Sequence, residues 1–280
     1  MSDSDLNDSK MPLLDHLVEL RQRLVITFAG FIVAFLAAYG VSEYIFNFLV
    51  APLADLTEGQ EGRRLIYTAL HEAFFTYIKV AFFAAACVSF PVIATQIWGF
   101  VAPGLYKSEK KAFLPFLIAT PVLFTMGAAM VYYLVIPLAW KFFLSFEQAG
   151  ADGSLPIMLE PKVDQYLSLV MRLIFAFGVS FELPVLIILL AKMGLATSTG
   201  LAAKRKYAIL IAFVVAAILT PPDVISQVLL AFPIIILYEI SIVCARYIEK
   251  NRAKEAGEDE DDWDDDDDDD DDDETVLERG

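Results

Sequence analysis

The chain contains few residues of the kinds that build covalent scaffolds, metal centres or hydrolytic sites. Its 280 residues include two cysteines and two histidines, too few for a disulfide framework or a cysteine-histidine metal site. His71 and Glu72 are not followed by a second histidine at zinc-protease spacing. The sequence also lacks a Gly-x-Ser-x-Gly elbow and a glycine-rich phosphate loop. We therefore expect no catalytic centre, no cofactor and no metal.

A surplus of basic residues is also missing. Of the 37 acidic and 21 basic residues, 18 acidic and one basic lie in residues 255–280, which leaves 19 acidic and 20 basic residues in the rest of the chain. This nearly neutral body excludes the extensive basic surface that nucleic-acid binding requires. Residues 1–10 are polar and acidic, so we expect no removable signal peptide.

Long uncharged apolar runs are abundant. Hydrophobic residues make up 57% and charged residues 21% of the sequence, a composition typical of a membrane protein. A bilayer core of about 30 Å needs about 20 mostly apolar helical residues. Candidate spans lie at residues 24–42, 73–106, 112–140, 165–191, 207–220 and 224–244. We predict an all-α polytopic protein with six transmembrane helices.

Basic residues are unequally distributed between the two sides that six spans would define. The termini and the connections after the second and fourth spans hold fourteen Lys and Arg residues. The opposite side holds four, Arg63, Arg64, Lys141 and Lys162. Short loops rich in Lys and Arg stay in the cytoplasm, so both termini are predicted to be cytoplasmic.

Three segments follow from this topology. Residues 1–23 are predicted to be a cytoplasmic N-terminal segment with an amphipathic helix, residues 24–245 the membrane domain, and residues 246–280 a cytoplasmic C-terminal region. The last region contains ten consecutive aspartates at 264–273. Charge repulsion and the lack of apolar surface predict a disordered tail there.

The fifth and sixth runs are short. At 1.5 Å per residue, residues 207–220 reach only about 21 Å and the uncharged residues 224–238 about 22 Å. Such a pair could thin the bilayer or require a covering partner helix. Alternatively, both helices extend through polar flanks with snorkelling side chains. The sequence leaves both alternatives open.

Two cytoplasmic glutamates are candidates for binding a cationic ligand. Glu19 lies off the apolar stripe of an N-terminal amphipathic helix, and its simplest interpretation is an i,i+4 pair with Arg23. Glu109 stands among three lysines in a loop rich in positive charge. Two carboxylates on one face could instead receive two guanidinium groups through bidentate contacts that lysine cannot reproduce.

Glu182 is predicted to lie inside the membrane. It precedes Lys192 by ten residues, which places it about 15 Å from the cytoplasmic end of its helix. A carboxyl group at that depth is costly and is a functional-site candidate by default.

Four motifs together resemble the TatC family, the multispanning subunit of the twin-arginine protein translocase. They are HLVELRQRL at 16–24, APL at 51–53, GVSFELP at 178–184 and LTPPDVISQ at 219–227. With the six-span layout, the resemblance extends over about residues 10–250 and does not include the acidic tail.

The resemblance implies a concave, glove-like bundle without enzymatic activity in the bacterial inner membrane. It implies binding of the twin-arginine signal peptides of folded precursors, and export with TatA-like and TatB-like single-span partners driven by the proton-motive force. Several copies of the chain in one lipid-embedded complex are compatible with it.

Individual residues match positions of the family motifs. Glu19, Arg21, Phe100 and Glu109 match signal-peptide-binding positions, and Glu182 matches the intramembrane acid. Thr220 and Gln227 match partner-docking positions, and Pro52 and Asp223 match loop positions.

A different function class is a proton-coupled secondary transporter of a small solute. Glu182 and Asp223 would form its proton relay. The chain has no internal repeat of the kind that many such transporters contain, and the motif match also weighs against this alternative.

Overall fold

The computed structural model describes residues 13–58, 63–101, 110–148, 150, 155–192, 194–220 and 224–261. For residues 13–16, 98, 101, 110–116, 225–226 and 252–261 it describes the backbone only. These parts of the chain are almost entirely helical, which confirms the all-α prediction. The helices are α1 Leu13–Gly40, α2 Ser42–Leu56, α3 Glu72–Val101, α4 Lys110–Met130, α5 Ile136–Leu144, α6 Val163–Ser180, α7 Leu183–Lys192, α8 Ser198–Ala203, α9 Arg205–Leu219 and α10 Val224–Asp261.

Among the described residues, five helical stretches are long and apolar enough to cross a membrane. They are Leu17–Gly40, Glu72–Ile97, Leu117–Leu144, Val163–Lys192 and Gln227–Asn251. The remaining predicted span corresponds to α9, whose 15 residues measure about 22 Å. It is as short as the sequence indicated, and the six-span count stays a prediction.

The last span is much longer than the uncharged run of its sequence. Helix α10 has 38 residues and continues through Glu239, so only α9 of the suspected short pair is short. Arg205 at the start of α9 donates to Glu239, with Nη2–Oε2 at 2.9 Å and Nε–Oε1 at 2.8 Å. This pairing compensates the glutamate charge and lets the helix extend through a polar flank.

At each end of the chain, one helix continues across a predicted segment boundary. Helix α1 is continuous from Leu13 to Gly40, so the predicted amphipathic segment and the first span form one helix. Helix α10 ends at Asp261, beyond the start of the acidic run at Glu255. The ten consecutive aspartates lie outside the described residues, and their disorder stays a prediction.

Prolines interrupt two of the spans. Helix α6 ends at Ser180 and α7 begins at Leu183, because the ring of Pro184 removes a backbone donor and clashes with the carbonyl four residues earlier. Residues Val131–Val135 form a π-helical segment between α4 and α5. Pro137 lies two residues beyond this segment, and its ring disturbs the carbonyl of Tyr133, four residues earlier. Glu182 therefore lies in a break between two helices.

The segments between spans on the Arg63 side are ordered where the structure describes them. Helix α2 occupies much of the first one, and Tyr166 of α6 donates to the Leu49 carbonyl at 3.0 Å. Single β-bridges join Ile66 to Lys162 and Gln148 to Ile157. The two segments thus form a common cap over one end of the helices.

A largely covered ion pair between Arg63 and Glu147 joins the two segments of this cap. Nη1 of Arg63 donates to Oε1 of Glu147 at 2.5 Å, and Nη2 donates to Oε2. The Leu159 amide also donates to Glu147, at 2.8 Å. These contacts hold the pKa of Glu147 below its usual value, because the Arg63 hydrogen bond and then the backbone hydrogen bond favour the carboxylate.

Candidate functional site

Glu19 lies on α1 beside the last turn of α3 and already holds a guanidinium group. Arg23 donates to Oε1 of Glu19 through Nε at 2.9 Å and through Nη2 at 2.6 Å. The third donor, Nη1, lies 3.5 Å from Oε1 of Gln96. About three quarters of both charged side chains is covered, since their exposed fractions are 26% for Arg23 and 23% for Glu19.

Gly99 gives the guanidinium of Arg23 room against α3. A Cβ atom at this position would overlap Nη1 of Arg23 and would lie 3.0 Å from its Cζ. Glycine therefore allows a close approach between the Arg23 side chain of α1 and the backbone of α3. The i,i+4 pair was predicted, whereas the contributions of Gln96 and Gly99 were not.

The other residues predicted to bind a signal peptide are placed unequally. Arg21 is exposed on α1, and Phe100 is half-buried on α3 directly after Gly99. Glu109 lies outside the described residues, in the connection that leaves α3 after Val101. The structure thus brings Glu19 close to the end of the helix that leads to Glu109.

Glu182 lies in the break between α6 and α7, inside the candidate span Val163–Lys192. Both of its carboxylate oxygens are buried and have no hydrogen-bond partner among the described residues. The same holds for the hydroxyl group of Thr120, a 2% exposed residue of α4, whose side chain is near enough to interact with the carboxyl group. Within the described part of the chain, the pair forms a polar island in apolar surroundings.

Thr220 and Gln227 lie on either side of the break between α9 and α10. The hydroxyl group of Thr220 donates to the Ala216 carbonyl at 2.8 Å, and the amide of Gln227 donates to the Phe213 carbonyl at 3.1 Å. Gln227 therefore joins α10 to α9. Asp223, predicted between them, lies outside the described residues.

An apolar groove of about 460 Å³ opens next to this pair of helices, between the π-helical segment and α10. Its lining consists of Leu134, Val135, Val224, Val228, Leu229, Phe232 and Pro233.

Pro52 is buried inside α2, far along the chain from Glu19 and Glu109. It belongs to the packed part of the cap together with Leu49 and Leu53. As for a metal centre, the described ranges contain no group of three or more His, Cys, Asp or Glu side chains suited to hold an ion.

Comparison with known proteins agrees with the motif placement. The family model for the Sec-independent protein translocase protein (TatC) matches residues 15–233. The chain belongs to the TatC family. The match includes the Glu19 region of α1, the α6–α7 break and the start of α10.

Individual TatC proteins are similar over most of their length. The chain is 53% identical to the Sec-independent protein translocase protein TatC of Magnetococcus marinus, over 90% of this chain and 90% of that protein. It is 41% identical to TatC of Escherichia coli K12, over 89% of this chain and 93% of that protein.

Solved TatC structures share the fold. A crystal structure of the twin arginine translocase receptor TatC superimposes with a TM-score of 0.71 at 38% identity, covering 83% of this chain and 98% of that one. A second crystal structure of this receptor, in DDM, gives 0.72 at 40% identity, covering 82% and 99%. These similarities favour the translocase over the small-solute transporter.

Proposed function

We propose that the chain is the receptor subunit of a twin-arginine translocase. It binds the twin-arginine signal peptide of a folded precursor at the cytoplasmic face and organises TatA-like and TatB-like partners for export driven by the proton-motive force. Its role is binding and assembly, without catalysis.

The observation that carries this proposal is the guanidinium group already bound to Glu19. Two donors of Arg23 converge on one carboxylate oxygen, so the setting of Glu19 suits arginine recognition. A signal arginine presents the same kind of donors as Arg23, so it can exchange with Arg23 on this carboxylate. Arg21 and Phe100 flank this carboxylate in the proposed binding site.

Glu109 is proposed to bind the second arginine of the signal. It follows Val101, the last residue of α3, by eight residues, a separation of at most about 28 Å for an extended chain. Because Glu19 lies beside the last turn of α3, this tether supports a shared site for the two carboxylates.

The apolar part of the signal is proposed to enter the membrane region near Glu182. The buried carboxyl group and Thr120 would offer polar contacts in otherwise apolar surroundings. Partner subunits are proposed to dock beside α9, because a helix of 15 residues covers less of the hydrocarbon core than its neighbours. Thr220, Gln227 and Asp223 mark that region, and Pro52 supports the cap on the same side.

The proposed location is the bacterial inner membrane with both termini in the cytoplasm. This orientation places residues 1–23 and 246–280 on the inner side and the membrane domain 24–245 between them. It follows from the unequal distribution of basic residues between the two sides.

Peptide binding to the purified chain tests the receptor proposal. We expect a twin-arginine peptide to bind more tightly than a twin-lysine peptide, and Glu19→Gln and Glu109→Gln each to weaken its binding by about tenfold. Glu43→Gln, which removes an exposed acid at the start of α2, is the control and should have no effect. Unchanged binding in both test variants contradicts the proposal.

Copurification tests the docking proposal separately. Gln227→Lys places a charge beside α9 and should reduce recovery of the single-span partners. Gln227→Ala removes the hydrogen bond to Phe213 without adding a charge, and it controls for loosened packing of α10. Equal partner recovery with Gln227→Lys and with the unmodified chain contradicts docking at this edge.

A further inference from the structure

We propose that Arg23 is a resident competitor at the signal-peptide site. Its guanidinium group occupies Glu19 while no peptide is bound, so that an incoming cationic side chain must displace it. The inference rests on the proposed function and adds an affinity-setting residue to that site.

The geometry shows why Arg23 can stand in for an arginine of a ligand. Nε and Nη2 both donate to Oε1 of Glu19, at 2.9 Å and 2.6 Å, which uses two of the five donors of the guanidinium fork. A signal arginine would use the same kind of donors on the same carboxylate. The two guanidinium groups therefore compete for one acceptor.

The guanidinium of Arg23 also contacts residues of α3, outside its own helix. Nη1 lies 3.5 Å from Oε1 of Gln96, and the missing side chain of Gly99 leaves the space that Nη1 fills. An ordinary i,i+4 pair on a helix surface has no such support and is weak. The contacts with α3 hold Arg23 on Glu19 even though its side chain is long and flexible.

Competition of this kind changes affinity without changing selectivity. For a ligand that binds only when Glu19 is vacant, the apparent affinity is the intrinsic affinity multiplied by the fraction of time for which Glu19 is vacant. The factor is the same for a twin-arginine and a twin-lysine peptide. A residue that instead oriented Glu19 for bidentate recognition would favour arginine and alter the ratio of the two affinities.

Peptide affinities of variants in detergent or nanodiscs test this inference. Arg23→Gln and Gly99→Ala should both tighten binding of twin-arginine and twin-lysine peptides, by roughly two- to fivefold for Arg23→Gln, with the ratio of the two affinities unchanged. Gly99→Ala is decisive because it keeps every charge and removes only the space on α3 that Nη1 of Arg23 fills. Arg23→Lys also keeps the charge but loses the paired donors of the guanidinium group, so it should tighten binding of both peptides as well.

Matched controls separate this effect from general changes. Arg246→Gln removes an exposed basic residue near the other end of the chain, and Gly40→Ala adds a methyl group at a helix position with nothing within 4 Å. Neither should change peptide affinity. Thermal unfolding of each variant verifies folding, and Gly99→Ala and Arg23→Lys carry the test if Arg23→Gln fails to fold.

The outcomes are distinguishable. Unchanged or weaker binding in Gly99→Ala and Arg23→Lys overturns the competitor role, and an altered arginine-to-lysine ratio overturns it in favour of a positioning role. The proposed function fails if the unmodified chain does not prefer the twin-arginine peptide and Glu19→Gln binds that peptide as tightly as the unmodified chain does. This inference then fails with it.

Discussion

At the residue scale, Glu19 and Glu147 hold guanidinium groups in different settings. Glu19 pairs with Arg23 four residues later in the same helix, whereas Glu147 pairs with Arg63 from a distant segment. The first pair leaves both partners on one element and is suited to exchange. The second joins two segments of the cap and is suited to hold them in place.

Sequence spacing could reveal only the first of these pairs. An i,i+4 relation is fixed by helix geometry, so Glu19 and Arg23 can be paired without a structure. Gln96 and Gly99 contribute through helix packing, which no local spacing encodes. The only hint in the sequence was a polar residue, Gln96, inside an apolar run, and that hint does not show that its partner is Arg23.

The Arg63–Glu147 pair predicts a pH-dependent contribution to stability. The lowered pKa of Glu147 means that the folded state favours the carboxylate, so the stabilisation is complete above the ordinary glutamate pKa of about 4.3 and is lost as the pH falls through the lowered value. We expect Glu147→Gln to cost about 1–2 kcal/mol at neutral pH. Thermal unfolding of both proteins from pH 7 to pH 3 should show the difference shrinking below about pH 4.

Glu160→Gln is the matched control for that measurement. Glu160 lies 3.5 Å from Arg64, and the exposed fractions of the two side chains are 49% and 70%. Solvent screening makes such a pair worth at most a few tenths of a kcal/mol. A pH-independent effect of Glu147→Gln, or an equal effect of Glu160→Gln, would contradict the assigned role of the cap pair.

At the element scale, the apolar runs identified the spans but not their interruptions. Pro184 lacks a backbone donor, and α6 ends four residues before it, but α3 and α10 continue through Pro91 and Pro233. Proline alone therefore does not tell where a span is interrupted. The π-helical segment before Pro137 was not anticipated, since the sequence gives no rule for how the displaced carbonyls are satisfied. The pairing of Arg205 with Glu239 joins residues of two different helices, so it also could not be predicted from local sequence patterns.

Close contact between α4 and α6 predicts that alanine at two of their glycines destabilises the fold. A Cβ atom at Gly178 would lie 2.5 Å from the ring of Phe124, and one at Gly127 would lie 2.7 Å from the Phe177 carbonyl. Neither backbone nor stacked ring can move freely in a packed interior, so overpacking should cost about 1–3 kcal/mol for each substitution to alanine.

Thermal unfolding of the purified variants measures this cost. Gly178→Ala and Gly127→Ala should unfold at lower temperature than the unmodified chain, and Gly40→Ala, with open space around it, should not. Equal stability of all three variants would show that α4 and α6 do not approach as closely as described.

At the scale of the whole molecule, composition and charge asymmetry predicted a helical membrane protein with defined sidedness. The helical architecture is confirmed, and its similarity to solved TatC structures supports the same arrangement of spans. The order of the cap could not be predicted from the sequence, because the contacts between its two segments join residues 84 or more positions apart. Such long-range pairing cannot be obtained from local patterns.

The predicted sidedness can be tested by cysteine labelling. In a background with Cys87→Ser and Cys244→Ser, Tyr67→Cys and Tyr247→Cys place single thiols at positions whose native side chains are 60% and 67% exposed. A membrane-impermeant maleimide added to spheroplasts should label the first, and should label the second only after permeabilisation. Labelling of both in intact spheroplasts would contradict cytoplasmic termini.

The most direct test of the central claim is photocrosslinking beside Glu19. A photoreactive residue at Leu20, which is 43% exposed on α1, should crosslink to a precursor with a twin-arginine signal and not to the same precursor with twin lysines. Adding Glu19→Gln should strongly reduce the crosslink, while a photoreactive residue at the exposed Val33 serves as a control away from the carboxylate. Equal crosslinking of both precursors at Leu20, unaffected by Glu19→Gln, would contradict capture of the arginine pair at this site.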